Sequence, residues 1–332
     1  MKPKLIALTA CICSVFLAEA QSYHFSQFYT TPLLVNPAFT GNTDGPYRAA
    51  VNFRSQWVHG GTPYVTTALS FDGSPLRKRL PEGNRAGAGL VVLSDRSLGG
   101  ALQTNAIGIS LAYNLMLDAE AVHSIGAGFQ GTYQQRRIDL TKLTFENQFG
   151  SNGFDPSIPV AEPIANTPRN YFDANAGLLY SYSPEGFSVF ISAAAYNLLQ
   201  HKENDQAEEF RIPLRYTFLG GGRFEVGESG NLYFSLSHLR QSTANETTIG
   251  GAYGFPIGTD ENQELNIGLW YRVKDAFIPY IGYQLNSFQL GLSYDYTVSP
   301  LKSGSTVRNA FELSFVYKAE DKTEMKRLVP WY

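Results

Sequence analysis

Few side chains in this 332-residue chain stand at the spacings that chemistry requires. Gly126-Ala127-Gly128-Phe129-Gln130-Gly131 has the G-x-G-x-x-G form of a phosphate-binding turn, but no helical pattern follows it. Tyr133 continues a period of two, so glycines at crowded strand positions account for the run. Gly291-Leu292-Ser293-Tyr294-Asp295 lacks the last glycine of a nucleophile elbow and reads as strand. The histidines His24, His59, His123, His201 and His238 show neither an i, i+4 pair nor His-Glu-x-x-His, and read as rim or loop residues. A rim triad of His59 or His238 with Asp95 and a serine has no motif behind it. Glu203, Asp205, Glu208 and Glu209 carry the oxygen ligands Ca²⁺ prefers, without the ordered spacing of a calcium loop; a solvated acidic loop explains them. Both cysteines, Cys11 and Cys13, fall in the apolar amino-terminal stretch, which leaves the rest of the chain without disulfide, thiolate ligand or thiol nucleophile. The expectation is a protein that is not an enzyme, with no catalytic, cofactor-binding or metal-binding residue and no cofactor.

The elements that would carry any site begin after a leader. Lys2 and Lys4, the apolar run Leu5 to Leu17 and Ala18-Glu19-Ala20 read as a signal peptide over 1–20, cleaved before Gln21. The alternative, a lipidated Cys11 after Leu8-Thr9-Ala10, sits poorly with an apolar run that continues through Ile12, Val15, Phe16 and Leu17. Beyond it no run approaches the ~18 apolar residues of a transmembrane helix. Aromatic residues make up 14%, with 20 Tyr and 22 Phe, and charged residues only 17%, below the usual ~25%. That balance suits a β-barrel with a lipid-facing band and aromatic girdles. A net charge of −3 argues against nucleic acid as a partner.

From Tyr47 the period is two. Tyr47, Ala49, Val51, Phe53, Ser55 and Trp57 alternate with Arg48, Ala50, Asn52, Arg54 and Gln56, an apolar face backed by a polar, basic one. Ten tilted steps climb roughly 25 Å, the height of the apolar band of an outer-membrane barrel. The same alternation recurs over about fourteen segments, at 47–57, 64–72, 85–95, 101–115, 121–137, 171–182, 187–197, 211–227, 231–240, 247–256, 263–274, 277–284, 288–297 and 308–318, an even number that closes with both chain ends on one side. The fold class is therefore all-β, a transmembrane antiparallel barrel over 47–318. Arg48, Asn52, Arg54 and Gln56 are expected to line its lumen. Phe53→Arg is expected to cost roughly 2 to 4 kcal/mol in lipid, and Asn52→Arg to be tolerated. With the termini periplasmic, the tight turns fall inside and the longest loops, near 138–170 and 198–210, outside. Pro156, Pro159, Pro163 and Pro168 should keep the first of these extended. The exception inside is 73–84, with Arg77, Lys78 and Arg79. Residues 319–332 form a mixed-charge tail expected in the periplasm.

One stretch fits neither strand nor helix. Within the irregular segment 21–46, Phe25 to Gly41 holds Phe25, Phe28, Tyr29, Leu33, Leu34, Val35 and Phe39, too much apolar surface for a free tail, and is broken by Pro32 and Pro37. A mobile linker is the bland reading. With a barrel beginning six residues later, the segment instead has a destination in the lumen or the periplasmic mouth, as a plug or docking element with Phe25, Phe28, Tyr29, Pro32, Asn36, Pro37, Phe39 and Gly41 as its main residues.

Phe25-Ser26-Gln27-Phe28-Tyr29 with Pro32, Asn36-Pro37-Ala38-Phe39-Thr40-Gly41 and Arg54-Ser55-Gln56-Trp57 resemble the PorP/SprF family of type IX secretion system outer-membrane proteins. The likeness continues through Ser70-Phe71-Asp72, Gly153-Phe154-Asp155-Pro156, Phe172-Asp173-Ala174-Asn175-Ala176-Gly177, Gly291 to Asp295 and Phe311-Glu312-Leu313, and so covers most of the chain. Asn309-Ala310-Phe311-Glu312 departs from it where Ser-His-Glu is expected. The resemblance implies a barrel in the cell outer membrane, in contact with its lipid, that works with type IX secretion components to export or anchor a large secreted partner. Such a partner is an adhesin or other cargo with a C-terminal sorting domain, in some cases serving gliding motility. A passive porin and, more distantly, a barrel hydrolase are the alternatives.

Overall fold

The computed structural model describes residues 23–57, 63–120, 122–150, 153–155, 157–159, 168–205, 208–227, 230–258, 263–299 and 309–319, with the main chain alone over 203–205 and 208–210. The stretch 1–20 that the sequence reads as a signal peptide, His59, and the tail beyond Ala319 lie outside them. Fourteen strands form one closed barrel. They are β1 Tyr47–Gln56, β2 Tyr64–Gly73, β3 Arg85–Ser97, β4 Leu102–Met116, β5 His123–Ile138, β6 Arg169–Tyr182, β7 Phe187–Tyr196, β8 Arg215–Val226, β9 Gly230–Gln241, β10 Ala244–Pro256, β11 Gln263–Arg272, β12 Ala276–Leu285, β13 Phe288–Thr297 and β14 Ala310–Lys318. Each pairs antiparallel with its neighbours in the chain, and β1 closes on β14 with Arg48 opposite Lys318 and Gln56 opposite Ala310.

The alternation in sequence becomes two environments. On β4 and β5, Ile109 and Phe129 are 65% and 68% exposed on the outer wall, while the adjacent Ser110 and Gln130 are buried inside. Among the described residues no helix is long and apolar enough to cross a membrane, so the strands make the crossing. Rings gather at the barrel ends, with Tyr47 beside Phe71 and Tyr317, and Trp57 against Tyr64 at 4.5 Å. Phe129 sits midway along the apolar stretch of β5, between Ile125 and Tyr133. Phe129→Arg should therefore lower stability by about 2–4 kcal/mol, measured by unfolding of the protein in lipid vesicles. Gly131→Arg, two positions toward the barrel end, should cost less.

Several boundaries differ from the sequence pattern. The first strand stops at Gln56: Trp57 still donates its N–H to Asn309 O at 2.8 Å, but its φ of 65° turns the chain away from the strand. Residues 211–214 do not belong to β8: Glu208–Arg211 pairs with Lys202–Asp205 in a separate hairpin that alternation did not reveal. The proline-rich 138–170 connection carries two short 3₁₀ turns, Leu140–Lys142 and Glu146–Gln148, and a two-residue pairing of Phe149–Gly150 with Gly153–Phe154. Asn52 corrects a further expectation. It is 2% exposed and its amide donates to Thr30 Oγ1, so Asn52→Arg has no space to occupy and should be as disruptive as a lipid-facing arginine.

The ends of the barrel are unlike. At the near end, where β1 starts and β14 finishes, the described turns are tight, as at 286–287, except for 74–84, where a 3₁₀ turn presents Arg77–Arg79. The long connections 139–168 and 197–214 stand at the other, far end.

Candidate functional site

The lumen is occupied by the chain's own amino-terminal segment. Its local structure follows from its prolines. Pro32 opens the four-residue turn Pro32–Val35 and Pro37 opens the 3₁₀ turn Pro37–Phe39, positions where a missing N–H costs nothing. Asn36 between them is extended, as a residue before proline must be, and its Oδ1 accepts the Ala38 N–H at 2.8 Å. The result is a compact, turning chain instead of a strand.

From the near end, where it joins β1, the segment climbs the barrel to the far end. Gly41 N–H donates to Asp72 Oδ2 at 2.7 Å, close to where β1 and β2 begin and end. Thr40 meets Ser110 on β4, and the Asn36 amide donates to Leu178 O on β6 and Ala193 O on β7. Gln130 on β5 donates to Leu33 O, and Thr217 on β8 to Val35 O. Above them the Gln27 amide donates to Ser293 on β13, and Ser26 N–H to Glu312 on β14 at 2.6 Å. His24 lies 3.6 Å from Glu246 and Tyr23 under the Arg215 guanidinium, both at the far ends of their strands.

The wall divides into two halves that the segment matches. One is apolar: Leu179, Phe190, Leu219, Trp270, Ile278 and Tyr280 point inward and pack on Phe28, Tyr29 and Phe39. Tyr29 sits 5.1 Å from Trp270 and 5.7 Å from Tyr280, and Phe39 5.6 Å from Phe190. Each such buried side chain contributes about 1.5–3 kcal/mol. The other half is charged. Arg48 pairs with Asp72 through Nε at 3.0 Å and Nη2 at 2.8 Å. Arg54 reaches Glu312 and, at 3.0 Å, Asp295; Arg272 reaches Asp295 at 2.9 Å. Ser26 Oγ stands at their centre, accepting from Arg54 at 2.8 Å and donating to Asp295. With two cations and two anions the cluster balances, which is what permits burial of charges this deep. At the near end, burial pushes the Asp44 carboxyl above its ordinary range, against the opposing pull of nearby Lys318 and Arg85.

Phe25, Phe28, Tyr29, Pro32, Asn36, Pro37, Phe39 and Gly41 are all buried in the lumen, as are the Arg48, Asn52 and Arg54 side chains that meet them; Gln56 is half-buried at the far end of β1. Sequence reading missed the polar half of the contact: Ser26, Gln27, Thr30 and Thr40, with Asp72, Asp295, Glu312 and Arg272. Their signal was charge on the inward face of alternating strands, but which charges meet depends on closure. The run's central glycine is explained too, whereas Gly131, expected at a crowded position, meets nothing. A Cβ on Gly128 would stand 2.4 Å from Pro37 O, and one on Gly177 1.9 Å from Asn36 Oδ1, so the segment can lie here only on bare backbone. Gly128→Val should dislodge the segment, read as faster labelling of Gln27→Cys by a small thiol reagent. Gly131→Val, whose Cβ meets nothing within 4 Å, should leave labelling unchanged.

Among the described residues nothing catalytic assembles from the earlier candidates, of which His59 lies outside them. His238 Nδ1 bonds Thr247 at 2.8 Å on β9–β10, while Asp95 accepts from Thr66 at 2.6 Å on β3–β2, across the barrel. Among the described residues no group of three His, Cys, Asp or Glu converges as a metal site. The acidic side chains of 203–209 lie outside those described.

A closed fourteen-stranded antiparallel barrel with an apolar outer wall and no membrane-crossing helix among the described residues defines an outer-membrane β-barrel protein. Residues 17–317 match the family described as type IX secretion system membrane protein PorP/SprF, and the chain belongs to that family. No curated protein matches it. Among solved structures it is similar to the CymD monoaromatic hydrocarbon channel, with 12% identity, a TM-score of 0.54 and coverage of 89% of this chain and 94% of that one. The Ralstonia pickettii toluene transporter TbuX, at 9% identity and TM-score 0.51, and a Pseudomonas aeruginosa FadL homologue, at 10% and 0.51, each cover 88% of this chain and 94% of theirs. At such identities the likeness is one of fold. Single-chain barrels of this membrane keep short turns in the periplasm and long loops outside, a rule that would place the near end in the periplasm and the far end outside the cell.

Proposed function

We propose that this barrel serves type IX secretion by binding, as a closed anchor that helps export or hold a large secreted protein at the cell surface. The carrying observation is the lumen filled from one end to the other by residues 23–45. A passive porin keeps a hydrated path; here the wall's apolar side chains are packed and its charges paired. The segment over 21–46 acts as the plug. Its partner is an adhesin or another cargo with a C-terminal sorting domain, engaged by the extracellular loops 139–168 and 197–214, and in gliding cells it serves motility. The loop at 74–84, with exposed Lys78 and Arg79, and the tail beyond Ala319 contact periplasmic components of the machinery.

The test is genetic and biochemical together. Tagged protein purified from outer membranes should bring down type IX components and a secreted protein bearing a sorting domain. The surface amount of that protein should fall when this gene is deleted and return when it is restored. Unchanged surface display of every sorting-domain protein in the deletion strain would refute the reading.

A further inference from the structure

The first and last strands meet along the β1–β14 seam, where Arg54 stands directly opposite Glu312. Two consecutive residues of the segment are gripped across this seam. The Glu312 carboxylate accepts the Ser26 N–H on one oxygen at 2.6 Å and the Gln27 N–H on the other at 2.9 Å. Arg54, on the other side, donates to Ser26 Oγ and to Glu312 itself. The Gln27 side chain completes the grip: its amide donates to Glu312 O at 3.2 Å, and its oxygen accepts from Ser314 on β14 at 2.6 Å. Thr30, one turn on, receives the Asn52 amide of β1. Gln27 is wholly buried and Ser26 is 3% exposed, so these bonds are shielded from bulk water.

This arrangement has the form of a ligand site. A carboxylate reading two successive main-chain N–H groups recognises peptide and little else, and a hydroxyl that accepts from Arg54 and Arg272 while donating to Asp295 fits a serine. Half of it comes from β1 and half from β14, so the site exists only when the two have paired. An unpaired seam would leave both strand edges without main-chain partners in lipid, which is costly.

We propose that the lumen wall across the β1–β14 seam is a peptide-binding site whose ligand is Ser26–Gln27 of the chain's own segment, and that docking there locks the barrel closed. The segment precedes β1 in the chain and grips β14, so it joins the two ends of the sheet from inside. Locking is separate from blocking: a chain can fill a pore without holding its wall. Current through the barrel therefore plays no part in the test.

The test is hydrogen exchange of the folded protein in detergent micelles, comparing wild type with Ser26→Ala/Gln27→Ala. Amides of residues 47–56 and 310–318 should exchange faster by about tenfold or more, as expected for loss of one or two net hydrogen bonds of this kind, while those of 85–116 stay unchanged. A disulfide across the seam, Phe53→Cys with Leu313→Cys, which stand opposite each other, should suppress the rise. One across β3–β4, Leu90→Cys with Ile109→Cys, should not. If the double variant fails to fold, Ser26→Ala alone carries the same comparison. Unchanged seam exchange, an equal rise in every strand, or a rise that the seam disulfide leaves in place would overturn the proposal.

Discussion

Arg54→Ala should lower the free energy of unfolding by about 3–5 kcal/mol, the loss expected when one member of a buried, hydrogen-bonded charge group is removed and its partners remain. The magnitude comes from what is left behind. Asp295 and Glu312 are both buried, and without Arg54 only Arg272 faces them, bonded to Asp295 and to Asp275. Ser26 Oγ loses a donor at the same time. Arg54→Lys should recover part of the loss, since a single ammonium cannot fork between two carboxylates as a guanidinium does. The exposed Lys142–Asp139 pair, 3.9 Å apart in an outer loop, is the control: Lys142→Ala should be within error of wild type. Guanidinium unfolding in vesicles, followed by the fluorescence of Trp270 where it is packed on Tyr29, measures both. Equal effects would mean that the segment and the charged half of the wall are not in contact.

The second large effect is on permeability. Cells whose only copy carries Gly128→Val with Gly177→Val should become several-fold more sensitive to large hydrophilic antibiotics that the outer membrane normally excludes. Both side chains would stand where the Asn36-Pro37 main chain and amide now lie, so the segment must leave that part of the wall. The charged half, with Arg48, Asp72, Arg54 and Asp295, hydrates readily once uncovered. Simple deletion of 23–41 is the blunter tool. It would also expose Leu179, Phe190, Leu219 and Ile278 to water at about 1.5–3 kcal/mol each, mixing loss of stability with loss of closure. Sensitivity equal to wild type, with the double variant present in the membrane at normal levels, would contradict a plugging role.

The barrel was legible because lipid imposes a rule on one side of every strand. Tyr47 to Trp57 alternates strictly since one set of side chains meets hydrocarbon and the other does not, and a period of two survives whatever fills the lumen. The segment announced itself by a different conflict, apolar residues between Pro32 and Pro37 with no regular element to hold them. What could not be read was pairing. Arg54, Arg272, Asp295 and Glu312 come from four strands spread over the chain, and nothing in one dimension tells an inward charge facing water from one facing a serine. Asn52 illustrates the cost: the alternation alone makes it a lumen residue replaceable by arginine, and only the position of Thr30 removes the space. The hairpin 202–211 was hidden for a related reason, being too short to establish an alternation of its own.

Electrical recording tests the central claim, that this outer-membrane protein is a closed binding barrel, most directly. Purified wild-type protein inserted into planar bilayers at moderate salt should give no sustained open-channel steps, since residues 23–45 occupy the lumen along its whole height. Large, steady, ohmic conductance from the wild-type protein would show a hydrated path past the segment and would identify the barrel as a pore.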